Sequence, residues 1–225
     1  MNFLDYRLNL KEVLICMSDN KIKKRYNRIA PIYDSLESMM EKGKMGSWRK
    51  RLWQRVSQNI PQAGGKLLEA GVGTGKNIQY YPDGIDIYAI DFSEKMLEKA
   101  RQKAVDLDKK VNLMQMDIQT LDFPDNFFDI IVTSCVFCSV PDPIKGLKEL
   151  KRVCRKDGKI IMLEHMRSQK DPVGELMDLF NWVSLYTYGA NINRRTMENI
   201  EKAGLKIIEV KDLFFDIVKE IVLEP

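Results

Sequence analysis

The spacing of apolar residues changes near residue 60 of this 225-residue chain. From Asp19 to about Asn59 they recur at helical intervals, at Ile22, Tyr26 and Ile29 and again at Trp48, Leu52 and Val56, with breaks at Pro31 and between Gly43 and Gly46. After a loop from Pro61 to Gly65 the runs shorten to strand length: Lys66 to Ala70, Ile85 to Ile90, Val111 to Met116, Phe128 to Thr133 and Lys159 to Glu164, each enriched in β-branched or aromatic residues. Helical spacing returns between them at Gly75 to Tyr80, Ser93 to Val105 and Pro141 to Cys154. Ser93, three residues before Met96, and Asp142, just before Pro143, suit helix starts. This alternation predicts an α/β fold with a parallel sheet joined by right-handed crossovers.

The last quarter predicts a helix from Val173 to Val183, a loop at Tyr188-Gly189-Ala190, a helix from Arg194 to Ala203 stopped by Gly204, and strand-like runs from Leu205 to Val210 and Phe214 to Val222. Met17-Ser18-Asp19-Asn20 is itself a plausible capped start. The expected organisation is therefore an N-terminal extension (1–18), a helical cap contributing to the site (19–60) and a core (61–225).

Composition narrows the class. With 44% hydrophobic and 30% charged residues the chain is of ordinary globular composition, and no apolar run approaches the roughly 20 residues of a membrane span. The net charge of +4 is spread among acids, apart from Lys21-Ile22-Lys23-Lys24-Arg25 with Arg28 and the stretch Lys42 to Arg55. That basic region reads as a solvated helix face or as a weak peripheral membrane contact; nucleic acid is not an expected partner. Cys16, Cys135, Cys138 and Cys154 make no disulfide framework, and no secretory signal is evident, so a cytoplasmic setting is expected. His165 is the only histidine, which argues against a metal held by imidazoles.

In an open parallel sheet, ligands bind beyond the carboxyl ends of the strands. There, after the first strand, stands Glu69-Ala70-Gly71-Val72-Gly73-Thr74-Gly75, whose glycines permit positive φ and close backbone approach. A P-loop would need Ser or Thr after its lysine, whereas Asn77 follows Lys76; the dinucleotide fingerprint would need Gly or Ala where Lys76 stands. Asp91 closes strand two, twenty residues after Gly71, where its carboxylate could accept from both hydroxyls of a ribose. Asp117 closes strand three; its carboxylate could accept from an adenine amino group, with the Ile118 N–H on a ring nitrogen, or it could cap a helix.

This set, with Phe128-Asp129-Ile130-Ile131-Val132 leading strand four, resembles the class I S-adenosylmethionine-dependent methyltransferases. The resemblance implies a seven-stranded, mostly parallel Rossmann-like sheet flanked by helices, with an antiparallel last strand. It implies that Glu69, Gly71, Gly73 and Gly75 hold the methionine part of S-adenosylmethionine, Asp91 the ribose, and Asp117 and Ile118 the adenine, with Phe92, Met96, Ser134 and Cys135 completing the cofactor site.

Within that class, Tyr26-Asn27-Arg28-Ile29-Ala30-Pro31-Ile32-Tyr33-Asp34 is similar to the N-terminal motif of bacterial phospholipid N-methyltransferases and of ubiquinone and menaquinone C-methyltransferases, in which the tyrosines help close over the cofactor. An aromatic face beside a sulfonium is a cation–π contact; a core tyrosine on a helix is the competing reading, as good for Tyr26 and weaker for Tyr33. Cys135-Val136-Phe137-Cys138-Ser139-Val140-Pro141-Asp142, Leu163-Glu164-His165-Met166 and Gly189-Ala190-Asn191-Ile192-Asn193-Arg194 resemble the methyltransferase-like thiol S-methyltransferases, though Ala190 stands where that group has cysteine. The pair Cys135 and Cys138 reads first as packing.

The implied activity is methyl transfer by in-line displacement to a small or lipid-like acceptor, whether a thiol, a phospholipid amine or a quinol. A quinol carbon would benefit from a base, for which His165 is the candidate, with a structural histidine as the competing reading; Glu164 and Asp34 are weaker candidates. Phe180, Trp182, Tyr186 and Tyr188 could line an apolar acceptor pocket or simply be core. A nicotinamide-dependent oxidoreductase and a non-catalytic S-adenosylmethionine-binding module are the alternatives.

Overall fold

The computed structural model describes residues 22–31, 33, 41–62, 64–187 and 189–225. The expected extension at 1–18 and the candidates Asp34 and Tyr188 lie outside the described residues. Seven strands form one sheet: β1 (Lys66–Ala70), β2 (Asp86–Asp91), β3 (Asn112–Gln115), β4 (Phe128–Ser134), β5 (Cys154–His165), β6 (Lys206–Phe214) and β7 (Val218–Glu224), in the order β3-β2-β1-β4-β5-β7-β6. The first five run parallel, and β7 is antiparallel to both neighbours, as expected. β1 and β4 sit in the middle and are buried along nearly their whole length, so their apolar residues do not alternate with polar ones. The edge strand β6 is mostly exposed and carries charge, with Asp212 bonded to Lys219 of β7 and Glu209 to Arg55.

Helices cover both faces. Residues 22–31 form α1, followed by α2 (Gly46–Gln58), α3 (Glu94–Asp106), α4 (Pro143–Val153), α5 (Val173–Thr187) and α6 (Thr196–Ala203). Leu52, Trp53 and Val56 of α2 and Leu97, Ala100 and Ala104 of α3 pack one core; Leu147, Leu150 and Val153 of α4 with Ile200 and Ala203 of α6 pack the other. The expected starts and stops hold: Ser93 accepts from the Met96 N–H at 3.3 Å, Asp142 accepts from the Lys145 N–H at 3.0 Å, and Gly204 ends α6 at φ 74°.

Two expectations are corrected. The helix expected from Gly75 to Tyr80 is only a 3-10 turn, Ile78–Tyr80. Its backbone bonds close over three residues, at Val72 to Gly75 and onward to Tyr81, and Pro82 stops it. The strand expected from Phe214 to Val222 is broken by a reverse turn: Phe215 has φ 46° and the Ile217 N–H reaches the Phe214 carbonyl at 3.1 Å. β6 and β7 are therefore a hairpin whose turn falls inside an apolar stretch.

Candidate active site

The carboxyl ends of β1 to β4 open into a cavity of about 120 Å³. Its floor is the glycine turn, in which Gly73 and Gly75 have different tasks. Gly73, at φ 55°, has open space where a side chain would begin and faces the cavity. Gly75, at φ 80°, is required by packing, since a Cβ there would lie 2.6 Å from Ile78 and 3.0 Å from the Ala100 backbone; it is not part of the cavity wall.

Asp91, at the end of β2, accepts from the Gly73 N–H through Oδ2 and from the Ser93 N–H through Oδ1, each at 2.9 Å. Burial pushes its carboxyl up to about 6, against the pull of those N–H donors. Each oxygen keeps acceptor capacity, so the group can take two hydroxyls from one ligand. Asp117, beyond β3, accepts from the Gln119 N–H at 2.8 Å, and the Gln119 carboxamide in turn accepts from the Asp142 N–H at 2.9 Å, which joins the β3 end to the start of α4.

Glu69 is fully buried and does not line the cavity. It accepts from the Asn77 amide at 2.6 Å and from the Tyr81 hydroxyl; the Asn77 carbonyl accepts from Arg49 at 3.2 Å, and Arg49 also donates to the Ser134 hydroxyl at 2.9 Å. Burial raises the Glu69 carboxyl, opposed by the Tyr81 and Asn77 bonds and by Arg49. Glu69 therefore reaches the cavity only through this relay, and Arg49 is the buried cation on the wall. Arg49 and Asn77 were missed from the sequence: Arg49 stands in a basic helix where any of several cations could have faced inward.

Above the glycine turn, α1 brings Tyr26 and, beyond it, Tyr33 to the wall, where Phe92 joins them with the Tyr26 and Phe92 ring centroids 5.6 Å apart. The Tyr26 hydroxyl and the Ser139 hydroxyl are 2.6 Å apart, tying α1 to the loop after β4. Ile29 and Ala30 pack on Met96 of α3. Of the expected residues, the cavity gathers Tyr26, Tyr33, Gly71, Gly73, Asp91, Phe92, Met96, Asp117, Ile118, Ser134 and Cys135; Glu69, Gly75 and His165 lie outside its wall.

His165 ends β5, paired with Val218, and burial lowers its imidazole. The structure does not bring it to the cavity, which opens at the carboxyl ends of β1 to β4, whereas β5 is the next strand outward. Its neighbour Glu164 is fully buried and occupied: it accepts from the Thr133 hydroxyl at 2.8 Å and from the Val136 and Phe137 N–H groups at 3.2 Å each. Burial raises its carboxyl to about 7. Cys135 turns at φ 56° to aim those N–H groups. Cys138, buried and pushed up to about 12, is an inert thiol, in keeping with a packing role. Phe180, Trp182 and Tyr186 are exposed and line no part of this cavity.

The comparisons with known proteins agree with this architecture. A methyltransferase-domain family matches residues 68–162. The chain is 35% identical over 159 residues to phosphatidylethanolamine N-methyltransferase from Cereibacter sphaeroides, covering 70% of this chain and 74% of that protein. It is 30% identical to demethylmenaquinone methyltransferase from Lactobacillus johnsonii (78% and 71% covered) and 28% identical to thiol S-methyltransferase TMT1B from Mus musculus (75% and 71%). Among solved structures, an S-adenosylmethionine-dependent methyltransferase from Thermotoga maritima shares the fold at a TM-score of 0.64, with 20% identity over 90% of this chain and 99% of that one. The chain belongs to the S-adenosylmethionine-dependent methyltransferases. The nicotinamide and non-catalytic alternatives gain no support from these relatives. The wall also fits the cofactor chemically: a buried two-oxygen acceptor at Asp91, an open glycine backbone, a buried cation at Arg49 and a trio of aromatic rings.

Proposed function

We propose that the enzyme methylates a lipophilic acceptor that attacks through its own amine or thiol lone pair. The observation that carries this reading is the lack of an imidazole on the cavity wall among the described residues, where both carboxylates, Asp91 and Asp117, already accept from N–H donors. An amine or thiol that arrives deprotonated needs no base from the protein, whereas a quinol carbon does. Apolar groups on the wall, among them Ile22, Val136 and Val140, favour a lipophilic molecule, and the named relatives include enzymes of a phospholipid amine and of thiols.

In this reading Asp91 binds the ribose, Asp117 and Ile118 the adenine, and Arg49 the carboxylate of the cofactor, with Gly71 and Gly73 giving its methionine part close backbone approach. S-adenosylmethionine, when bound, supplies an electrophilic methyl on a sulfonium, which is displaced in line. The protein orients the reactants and excludes water, an effect that can reach roughly 7 to 11 kcal/mol. Tyr26, Tyr33 and Phe92 face the cationic end, and residues 19–60 close the site as a cap. Among the described residues Cys135, Cys138 and Cys154 form no disulfide, which suits the cytoplasmic setting expected from the sequence.

A labelled-methyl assay in detergent micelles with phosphatidylethanolamine, long-chain thiols and quinols tests this. Label on the amine or the thiol is expected; label on the quinol alone would overturn it.

A further inference from the structure

Helix α5 is inside out. Its polar stripe faces the protein: Asp178 accepts from Arg167 and from Asn193, each at 2.9 Å, Asn181 accepts from the Ile192 N–H at 2.9 Å, and Ser184 donates to the Ala190 carbonyl at 2.8 Å. Only Gly174 and Met177 of this helix are buried. Its apolar stripe points outward, with Leu176, Leu179, Phe180, Trp182, Val183 and Tyr186 exposed, Trp182 at 69% and Tyr186 at 79%. An ordinary surface helix does the reverse, because water is the worse solvent for such groups. A contiguous outward face of this kind marks a docking surface.

Charge decides what docks there. Glu175 is exposed at the amino end of α5; beyond Asp178, from Leu179 to Met197, the chain carries no acid, and its two cations there, Arg194 and Arg195, are held by the Cys138 and Val140 carbonyls and by Glu198. Arg25 of α1 donates to the Leu185 carbonyl and lies against Gly189, so α1 sits beside the carboxyl-terminal half of α5. Residues 22–33 likewise contain no acid and carry Lys23, Lys24, Arg25 and Arg28, with Lys24 and Arg28 exposed. A second copy packed face to face would bring these cations against their own counterparts, which penalises that occupant. An anionic lipid surface complements them, and Trp and Tyr with apolar bodies and polar tips suit the headgroup boundary.

We propose that the outer face of α5, with Lys24 and Arg28 of α1, docks on an anionic lipid bilayer surface, in the interfacial plane and without spanning it. The face adjoins the site: α1 also brings Ile22 and Tyr26 to the cavity, and the loop that receives the polar stripe of α5 holds the Cys138 carbonyl through the Asn191 N–H at 2.9 Å. No helix among the described residues is long and apolar enough to cross a membrane, which fits a surface mode. The inference goes beyond the acceptor reading and can fail separately from it, because the test vesicles carry no methylatable amine or thiol.

The test is flotation of the full chain with vesicles of phosphatidylcholine containing about one third phosphatidylglycerol, beside pure phosphatidylcholine. Binding to the anionic vesicles is expected, falling at least tenfold in high salt. It should also fall at least tenfold in the triple variant L179Q/F180Q/W182Q and in K24E/R28E. S-adenosylhomocysteine affinity of the triple variant should stay within twofold, which shows that it is folded. Absence of vesicle binding by the natural chain, or equal binding by the folded triple variant, would overturn the proposal. So would a dimer in sedimentation that the triple variant converts to monomer, since a second copy would then own the face.

Discussion

Two glutamates end parallel strands on either side of β4, and both are fully buried, yet they organise their surroundings by different means. Glu69 on β1 fixes side chains: Asn77, Tyr81 and, through Asn77, the cavity cation Arg49. Glu164 on β5 fixes backbone, collecting the Val136 and Phe137 N–H groups where Cys135 takes a positive φ. The Glu69 side is a relay of side chains that ends at the cavity wall in Arg49 and Asn77. The Glu164 side holds a loop whose outer surface is met by Asn191 and Arg194, which donate to the Cys138 carbonyl and, for Arg194, to the Val140 carbonyl at 2.8 Å. That loop is thus held from both sides. Neither glutamate touches the cavity; each is a positioning residue.

The sharpest way to break that comparison is to remove the loop's anchor. Glu164→Ala should cost about 2 to 4 kcal/mol in urea unfolding, because a hydroxyl and two N–H groups lose their acceptor in the core. Glu164→Gln should cost less and should change the pH dependence. The folded carboxyl titrates at about 7, above its unfolded value of 4.5. Its stabilising contribution is therefore complete below about pH 4.5 and lost as pH rises through 7, so relative to the Gln variant the natural apo-protein should lose about 3 kcal/mol across that window. A flat difference between the two would contradict a buried, desolvated carboxyl.

On the Glu69 side, Arg49→Ala should weaken S-adenosylhomocysteine binding about tenfold, the worth of one charge-assisted contact, and should also lower stability in unfolding, since Asn77 and Ser134 lose a buried donor. Arg49→Lys should recover part of it, because a lysine keeps the charge and loses the second hydrogen bond. An unchanged affinity would place the ligand elsewhere. The smallest effect expected is at His165: His165→Gln should leave methyl transfer within about twofold, since the imidazole lies off the cavity wall. A loss of a hundredfold or more would restore it as the base and, with it, the quinol reading.

The sequence made legible what local patterns encode. The five parallel strands, the caps at Ser93 and Asp142 and the stop at Gly204 follow from spacing, and the glycine turn, Asp91 and Asp117 reach the cavity from strand ends, where a ligand crevice must form, while Tyr26 and Tyr33 are legible only through the family resemblance. What failed depended on distant partners. The Gly75–Tyr80 segment has helical spacing, but Asn77 is committed to Glu69 and Arg49 and Pro82 follows closely. His165 stands at a strand end, which suggests the crevice, but the order of the strands, which the sequence does not display, puts β5 outside the β1 to β4 ends that form the cavity. The aromatics of α5 read as core or pocket because apolar residues at helical spacing ordinarily face inward; only the inward hydrogen bonds of Asp178, Asn181 and Ser184 reveal the reversal.

The central claim is that the cavity is the cofactor site and that the Asp91 carboxylate anchors it. It is tested most directly by calorimetry of S-adenosylhomocysteine binding from about pH 5 to 8, on the natural chain and on Asp91→Asn. Because the Asp91 carboxyl titrates at about 6 in the empty protein and a ribose diol needs the ionised acceptor, affinity should be constant above about pH 7 and fall toward tenfold per unit below 6. The Asn variant should bind at least tenfold more weakly at pH 8 and lose that acid-side fall. Absence of binding at millimolar ligand, or the same pH profile in both proteins, would contradict it.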